Sequence, residues 1–470
     1  MSAQDEDLVW LAQHGRVHFM GIAGAGMSAL AEWLQRSGAT VDGCDSNPGE
    51  TAAHLSALGI SVVAGHDPAH VREAAAVIAT AAIPRDHAEL EAARVSGIPV
   101  IKRSAALGSV VNRGTLVAVS GTHGKTTTTA MTTAILAEAR LDPTAFVGGR
   151  VAAWGGGLRQ GADRIFVVEA DEYDRSFLAL RPTVAIVTSI EADHLDVYGS
   201  LSNVTSAFHT FLSTVPEDGL VAACTDDPGA GSVVSKLRAR VIGYGTGENA
   251  SLRATNVTLE ASGSRFVVQE GARPMGTVTL GVPGLHNVRN ALGALAASIH
   301  LGAAFETAVR ALTGFRGVGR RFERLDSGND VVVVDDYAHH PTEVRATLET
   351  ARRCHPDRRL IAAFQPHLFT RTRDFASGFG NALALADEVW LTDIYPAREV
   401  PLPGVTAELI VVAARDAGAR NVNYAPGLDA LESALLERIR PGDVLVAMGA
   451  GDIDRVTRSI ASQLRGAAFA

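Results

Sequence analysis

Lysine is almost missing from this chain: Lys102, Lys125 and Lys236 are the only three, and arginine supplies the other 39 basic residues. The bias reads as coding preference, and arginine replaces lysine on a surface but not where a compact ammonium is needed. Lys125 is therefore conspicuous. Cysteine is just as scarce. Cys44, Cys224 and Cys354 are an odd number at wide spacing, which indicates neither a disulfide framework nor a zinc site and leaves reduced core thiols as the expectation. No apolar run approaches a bilayer span, and the opening residues Asp5, Glu6 and Asp7 are acidic where a signal peptide is basic, so a cytoplasmic protein is expected. Basic clusters are lacking too. With a net charge of −9 and no concentrated Lys/Arg face, neither nucleic acid nor an anionic membrane is an expected partner.

What is present is a globular composition, 47% apolar and 20% charged, over a length that suggests about three domains. The stretch that organises them is LVAVSGTHGKTTTTA at 116–130. Its apolar β-branched run reads as a buried strand, Ser120 to Gly124 as a turn, and Lys125 onward as a helix opening with four threonines. A strand, a glycine loop and a helix N-terminus direct backbone N–H groups and dipole charge at one spot, where Lys125 adds a full charge for a polyphosphate. Thr126 has the position of a magnesium-ligand hydroxyl. The match to the general phosphate loop is partial, because valine stands at 119 where that pattern has glycine. A tight turn with a solvated lysine is the alternative.

Residues 16–45 have the layout of a nucleotide-binding βαβ unit: a strand, then Gly21, Gly24 and Gly26, a helix, and a second strand ending at Asp45, placed to take a ribose hydroxyl. The spacing G-x-x-G-x-G is not the dinucleotide pattern, and a plain βα turn is the alternative. Strands at 77–83 and 98–102 around a helix at 87–97 extend an open parallel sheet ending near Asn112. Beyond the phosphate loop, RIFVVEAD (164–171) reads as a strand ending in Glu169 and Asp171, and VAIVTSIEADHLDVYG (184–199) as one ending in Glu191, Asp193 and His194. Carboxylates at strand ends beside a phosphate strand are placed to hold magnesium. From 251 to 282 the alternation shortens, suggesting appended antiparallel strands. His286, Asn287 and Asn290 open a long helix, where paired asparagine amides can face a purine edge or cap the helix. Arg320 and Arg321 in a glycine-rich link can clamp phosphate at a hinge. In the last third, strands at 330–344 and 360–375 end in Asp335, Asp336, His339 and His340, and in His367, Arg371 and Arg373. The fold class expected is α/β, three domains each built on a mostly parallel sheet: a Rossmann-like domain at 1–112, a phosphate-loop ATPase domain at 113–318 and a Rossmann-like domain at 319–470.

Together these residues resemble the Mur ligases, ATP-dependent amide-forming enzymes of peptidoglycan synthesis. The resemblance runs nearly the full length through GIAGAGMS at 21–28, GTHGKTTTT at 121–129, EADEYDRSFL at 169–178, TSIEADHLDVYG at 188–199, GLHNVRNAL at 284–292, GRRFE at 319–323, DDYAHHPTE at 335–343, FQPHLFTRTRD at 364–374 and GAGDI at 449–453. It implies that Gly21, Ala23, Gly24, Ala25, Gly26, Met27, Ser28 and Asp45 bind the UDP moiety. Gly121, Thr122, His123, Gly124, Lys125, Thr126 and Thr127 would hold ATP, with His286, Asn287 and Asn290 at adenine and Arg320 at the phosphates. Thr126 and Glu169 would hold one Mg2+ and His194 a second. His339, His367 and Arg371 would meet the amino acid or acyl phosphate, with Lys125, His194 and His339 catalytic. Two departures bear on the branch: Leu368 stands where many members have arginine, and no lysine between Lys125 and Lys236 can serve as the carbamylated metal ligand other branches use. The branch implied adds L-alanine to UDP-N-acetylmuramate, as a monomer or weak homodimer. A branch that attaches a recycled tripeptide ranks second; a nucleotide switch and a dehydrogenase follow.

Overall fold

The computed structural model describes residues 7–397 and 399–468. Their strands form three sheets. The first runs in the order Ser61–Ala64, Val41–Asp45, Arg16–Met20, Ala74–Ala79, Val100–Lys102, parallel throughout. Chain order reverses between Arg16–Met20 and Ala74–Ala79, so the loop after Arg16–Met20 opens at the switch point where ligands of such sheets sit. That loop is the glycine turn 21–24, followed by the helix Ala25–Arg36.

The second sheet has ten strands: Arg273–Leu280, Gly263–Glu270, Leu252–Glu260, Arg240–Gly245, Leu220–Cys224, Val184–Val187, Thr115–Ser120, Ile165–Glu169, Thr144–Val151 and Gly156–Arg159. Thr115–Ser120 lies between Val184–Val187 and Ile165–Glu169 with parallel register on both sides, and Leu116 to Val119 are fully buried, as their apolar run requires. The helix Lys125–Glu138 behind it buries Thr126 to Thr129, Thr132 and Thr133. Three of its buried hydroxyls are satisfied within the helix, Thr129, Thr132 and Thr133 each donating to the carbonyl four residues back. Two-residue connections at 261–262 and 271–272 make Leu252–Glu260, Gly263–Glu270 and Arg273–Leu280 an antiparallel meander, since parallel neighbours need a crossover. Thr144–Val151 and Gly156–Arg159 have no counterpart in the sequence reading.

The third sheet is Glu323–Leu325, Val332–Asp336, Val444–Met448, Leu360–Phe364, Glu388–Leu391, Val422–Tyr424, parallel except for its first strand. Several expected strands are shorter than their apolar runs. Val184–Val187 ends before Glu191, and Leu360–Phe364 ends before His367, so Arg371 and Arg373 lie in the first turns of the helix Phe369–Leu383 rather than on a strand.

By contacts the chain divides into two compact units, residues 1–255, 267–278 and 289–315 in one, and 256–266, 279–288 and 316–470 in the other. The first contains the first sheet whole and the phosphate-loop strands. Cys44 and Cys224 are buried free thiols and Cys354 is half-buried. No helix among the described residues is long and apolar enough to cross a membrane.

In the second unit, Gly380 lets the helices Phe369–Leu383 and Glu408–Asp416 touch backbone to backbone: a methyl there would lie 2.5 Å from the Ala413 carbonyl oxygen and 2.7 Å from the Ala414 nitrogen. Gly380→Ala is expected to destabilise this unit by about 1–3 kcal/mol through overpacking, read as a lower thermal unfolding midpoint.

Candidate active site

Gly124 ends the turn at φ +82°, a left-handed conformation that lets the chain enter the helix directly. A side chain there would meet the Asn290 amide oxygen at 2.6 Å, and one at Gly121 would collide with the Thr188 hydroxyl. The loop is also tied from outside: Thr122 N donates to the Ser189 carbonyl at 2.8 Å, His123 N to the Ser189 hydroxyl at 3.1 Å, and the Thr188 hydroxyl to the His123 carbonyl. The amides of Thr122 and His123 thus face the 188–191 segment. The donors aimed at a ligand are those of the first helical turn, which no intrahelical carbonyl can take.

Lys125 does not face solvent. Its Nζ donates to the Gly121 carbonyl at 2.6 Å, the Thr122 carbonyl at 3.3 Å and both Glu172 carboxylate oxygens at 3.0 and 2.8 Å. Burial opposes its charge, but Glu172, Asp171 and Glu169 outweigh that and raise its pKa, so it stays an ammonium. Next to it the Thr126 hydroxyl donates to Glu169 Oε2 at 3.0 Å, while Glu169 Oε1 accepts the Gly148 amide. His194, at φ +52°, brings its ring within 4.8 Å of carboxylate oxygens of Asp171 and Glu172 and packs on Tyr173 at 5.1 Å. Two oxygen-rich groups therefore flank the loop, Thr126 with Glu169 and His194 with Asp171 and Glu172. Their donors suit a hard divalent cation.

In the first sheet, Asp45 accepts from Ala23 N at 3.0 Å and Asn47 N at 2.9 Å, so its carboxylate holds the glycine turn in shape. Arg103 lies against the first turn of the helix that follows, its Nη1 2.7 Å from where a methyl on Gly26 would be, and shares a crevice with Glu169, Asp171 and Ser176. A larger cleft of about 730 Å³ is lined by Arg16, Trp33, Thr40, Arg113 and Asp163. It lies at the amino-terminal ends of Arg16–Met20 and Val41–Asp45, away from every residue expected to bind a ligand.

Of the two asparagines, Asn287 donates its side-chain amide to the Pro283 carbonyl at 2.7 Å, four residues back, and Asn290 lies against Gly124.

In the second unit, His339 Nδ1 lies 2.8 Å from the Tyr337 carbonyl, which places the proton on Nδ1 and makes Nε2 the basic nitrogen. Its ring meets that of His367 at 5.8 Å; His367 in turn stacks on Tyr395 and lies 3.4 Å from Arg371 Nη1. His339, His367 and Arg371 are thus contiguous. Leu368 is buried at φ +68° with its amide on the Tyr395 carbonyl, leaving buried Arg371 as the guanidinium beside His367. Arg320 is turned onto its own unit: Nη1 and Nη2 donate to the carbonyls of Gly451 (3.0 Å) and Gly449 (2.7 Å), and the guanidinium lies over the Tyr337 ring. Asp335, fully buried, lies 3.8 Å from Arg320 Nε and 3.7 Å from Arg458 Nη2, with no hydrogen bond to either oxygen.

The models of three family domains match in succession: "Mur ligase family, catalytic domain" at residues 16–115, "Mur ligase middle domain" at 119–298, and "Mur ligase, glutamate ligase domain" at 320–451. The chain belongs to the Mur ligase family. It is 42% identical to a UDP-N-acetylmuramate--L-alanine ligase of Solidesulfovibrio magneticus over 96% of this chain and 99% of that one, and 44% identical to that of Acidothermus cellulolyticus over 94% and 93%. The crystal structure of a UDP-N-acetylmuramate-alanine ligase from Thermotoga maritima superposes with TM-score 0.84 at 30% identity, covering 97% of this chain and all of that one. A murein peptide ligase from Psychrobacter arcticus gives 0.73 at 26% identity, over 96% and 98%.

The sequence reading of this Mur ligase missed Glu172 and Arg103. Glu172 is one residue past Asp171 in EADEYD, and its charge can be paired with Lys125 only once the two strand ends are adjacent. Arg103 directly follows the strand Val100–Lys102, the same strand-end position that singled out the other polar residues.

Burial pushes Asp335 up to about 7 and Asp336 up to about 6, with Arg320 and Arg321 respectively pulling the other way. A carboxyl raised in the folded state stabilises the fold below its unfolded value of about 4 and loses that contribution as pH rises through the folded one. The second unit's unfolding midpoint is expected to fall between about pH 4 and pH 7, and Asp335→Asn to flatten that decline, measured by thermal scans across pH.

Proposed function

We propose that this protein joins L-alanine to the carboxylate of UDP-N-acetylmuramate in the cytoplasm, consuming ATP and forming ADP and phosphate through an acyl phosphate. The observation that carries the reading is the Lys125 ammonium, held at a helix N-terminus by loop carbonyls and Glu172, directly beside the Thr126–Glu169 pair. The domains proposed are 1–112 for the UDP-sugar, 113–318 for ATP and 319–470 for the amino acid, in a monomer or weak homodimer with no nucleic-acid or membrane partner. The alanine branch is favoured over the tripeptide branch by relatives of that name at 42–44% identity over nearly the whole chain. No lysine lies between Lys125 and Lys236 to be carbamylated, and His194, close to Asp171 and Glu172, is assigned to the second Mg2+.

A carboxylate and an ammonium do not condense in water, because hydroxide is a poor leaving group and the ammonium is no nucleophile. In the proposed sequence the sugar-linked carboxylate attacks the γ-phosphorus in line and ADP departs, with Lys125 and the first-turn amides taking up charge on the transferring group. Thr126, Glu169 and the His194 group would hold Mg2+, which neutralises phosphate oxygens. Asn290, against the loop, and His286 and Asn287 are assigned to the nucleotide. Arg320 is assigned to the phosphates, which requires release of its Gly449 and Gly451 carbonyl bonds. The alanine amine then attacks the acyl carbon and phosphate leaves from a tetrahedral intermediate. His339 is assigned to take the ammonium proton through Nε2, and His367 and Arg371 to hold the carboxylate or acyl phosphate. The glycine turn 21–28 and Arg103 are assigned to the UDP diphosphate.

The test is ADP release with ATP, Mg2+ and UDP-N-acetylmuramate, adding L-alanine, other amino acids or the tripeptide in turn. Turnover with alanine is expected; turnover with tripeptide alone moves the protein to the recycling branch, and no amine-dependent turnover leaves a nucleotide switch. Lys125→Ala is expected to lower kcat by about 10³-fold or more with UDP-sugar binding nearly intact in calorimetry. Arg103→Ala is expected to raise KM for the nucleotide sugar about tenfold with a smaller change in kcat, the loss of one charge-assisted contact.

A further inference from the structure

In the first sheet a second constellation of polar groups, largely buried, lies outside the residues assigned to the ligase reaction. Its centre is Cys44, on the strand Val41–Asp45, whose Sγ lies 3.4 Å from His18 Nε2, 3.2 Å from His66 Nδ1 and 3.4 Å from each Glu89 carboxylate oxygen. His70 Nδ1 is 2.8 Å from Glu89 Oε1, and His66 Nδ1 2.9 Å from Glu89 Oε2. Ligand atoms of His18, Cys44, His70 and Glu89 all lie within 4.8 Å of one another. Cys44 and Glu89 are fully buried and His18 is 2% exposed.

Three features separate this group from an ordinary buried network. The first is spacing: zinc bonds of about 2.3 Å to sulfur and about 2.0–2.1 Å to nitrogen in tetrahedral array put sulfur about 3.5 Å from each neighbouring ligand, close to the separations found here. The second is support. His18 Nδ1 lies 2.9 Å from Asp42 Oδ1, so the carboxylate fixes the proton on Nδ1 and turns the Nε2 lone pair toward Cys44, an arrangement typical of metal-bound imidazole. Asp42 is itself anchored by Arg16. The third is charge. A thiolate and a carboxylate together neutralise a divalent cation, which removes the cost of burying either anion alone.

We propose that His18, Cys44, His70 and Glu89 form a closed structural site for a zinc-type divalent ion, with His66 beside Cys44 and Glu89 as an adjoining donor. The thiol gives up its proton to solvent on ligation. Sulfur and imidazole donors select zinc over magnesium, so the site is chemically distinct from the oxygen-rich groups around Thr126 and His194. Its ligands come from two of the sheet's five strands, the turn Pro68–Val71 and the start of the helix Ala88–Val95, so an ion there ties Arg16–Met20 and Val41–Asp45 to the segments on either side of Ala74–Ala79. Because the Cys44 carbonyl accepts from both Gly21 N and Ile22 N, the same ion steadies the glycine turn.

The experiment uses the full chain, stripped with chelator and titrated with Co2+ under excess Mg2+ to occupy oxygen-donor sites. One equivalent per chain is expected, with thiolate-to-cobalt charge-transfer absorption in the near ultraviolet that zinc abolishes mole for mole, and an unfolding midpoint several degrees higher when zinc is bound. Cys44→Ser should lose the charge-transfer band, and His18→Gln should weaken cobalt binding at least tenfold. A folded wild-type chain that shows no such band overturns the proposal, as does a band surviving in Cys44→Ser, which would place the thiolate on Cys224 or Cys354. If Cys44→Ser does not fold, the wild-type spectrum and His18→Gln decide.

Discussion

A buried ammonium needs compensating charge and hydrogen bonds, and the phosphate-loop region of this Mur ligase is arranged around meeting that need for Lys125. Two loop carbonyls and the Glu172 carboxylate surround it, so the loop curls over the side chain and Gly124 takes the left-handed conformation that permits the curl. The same requirement brings Glu172, and with it Asp171 and His194, next to the helix N-terminus. On the proposed function, a γ-phosphate entering there would meet a positive charge already fixed in place, where electrostatic stabilisation is most effective. On the same proposal Glu172 would compete with the phosphate for the ammonium it now holds through both carboxylate oxygens.

Buried charge also shapes the second unit, by a different route. Arg320 spends its guanidinium on the carbonyls of the 449–451 turn and on the Tyr337 ring, near a buried Asp335 that makes no hydrogen bond. Such an arrangement fixes geometry more than it adds stability, because the desolvated carboxylate recovers little of its hydration energy at 3.7–3.8 Å. The chain His339, His367, Arg371 is positioned by backbone contacts at either end, the Tyr337 carbonyl and the Tyr395 backbone. The strained Leu368 between them is the price of presenting His367 and Arg371 on one side.

Much of the site was legible because α/β architecture puts ligand groups at strand carboxyl ends, and each such end is visible locally as an apolar run stopping at polar residues. Lys125, Thr126, Glu169 and the His339 group were singled out that way, and the fold places Lys125, Thr126 and Glu169 side by side and His339 beside His367 and Arg371. Strand length was misjudged where the apolar run continued into the loop, as after Val187 and Phe364, since hydrophobicity marks burial and not hydrogen-bond pairing. The two asparagines lie one helical turn apart, and the Asn287 amide donates to the Pro283 carbonyl while Asn290 lies against Gly124.

The sequence alone determined the α/β class, the three successive sheets and the residue types at each mouth, because these follow from periodicity and from motifs a few residues long. Tertiary structure alone decided which charges meet. Glu172 and Lys125 are 47 positions apart, and the polar side chains around Cys44 are scattered from 18 to 89, so no local spacing announces either group. Both depend on which strands become neighbours and in what register, a property of the packed sheet that a linear pattern does not contain.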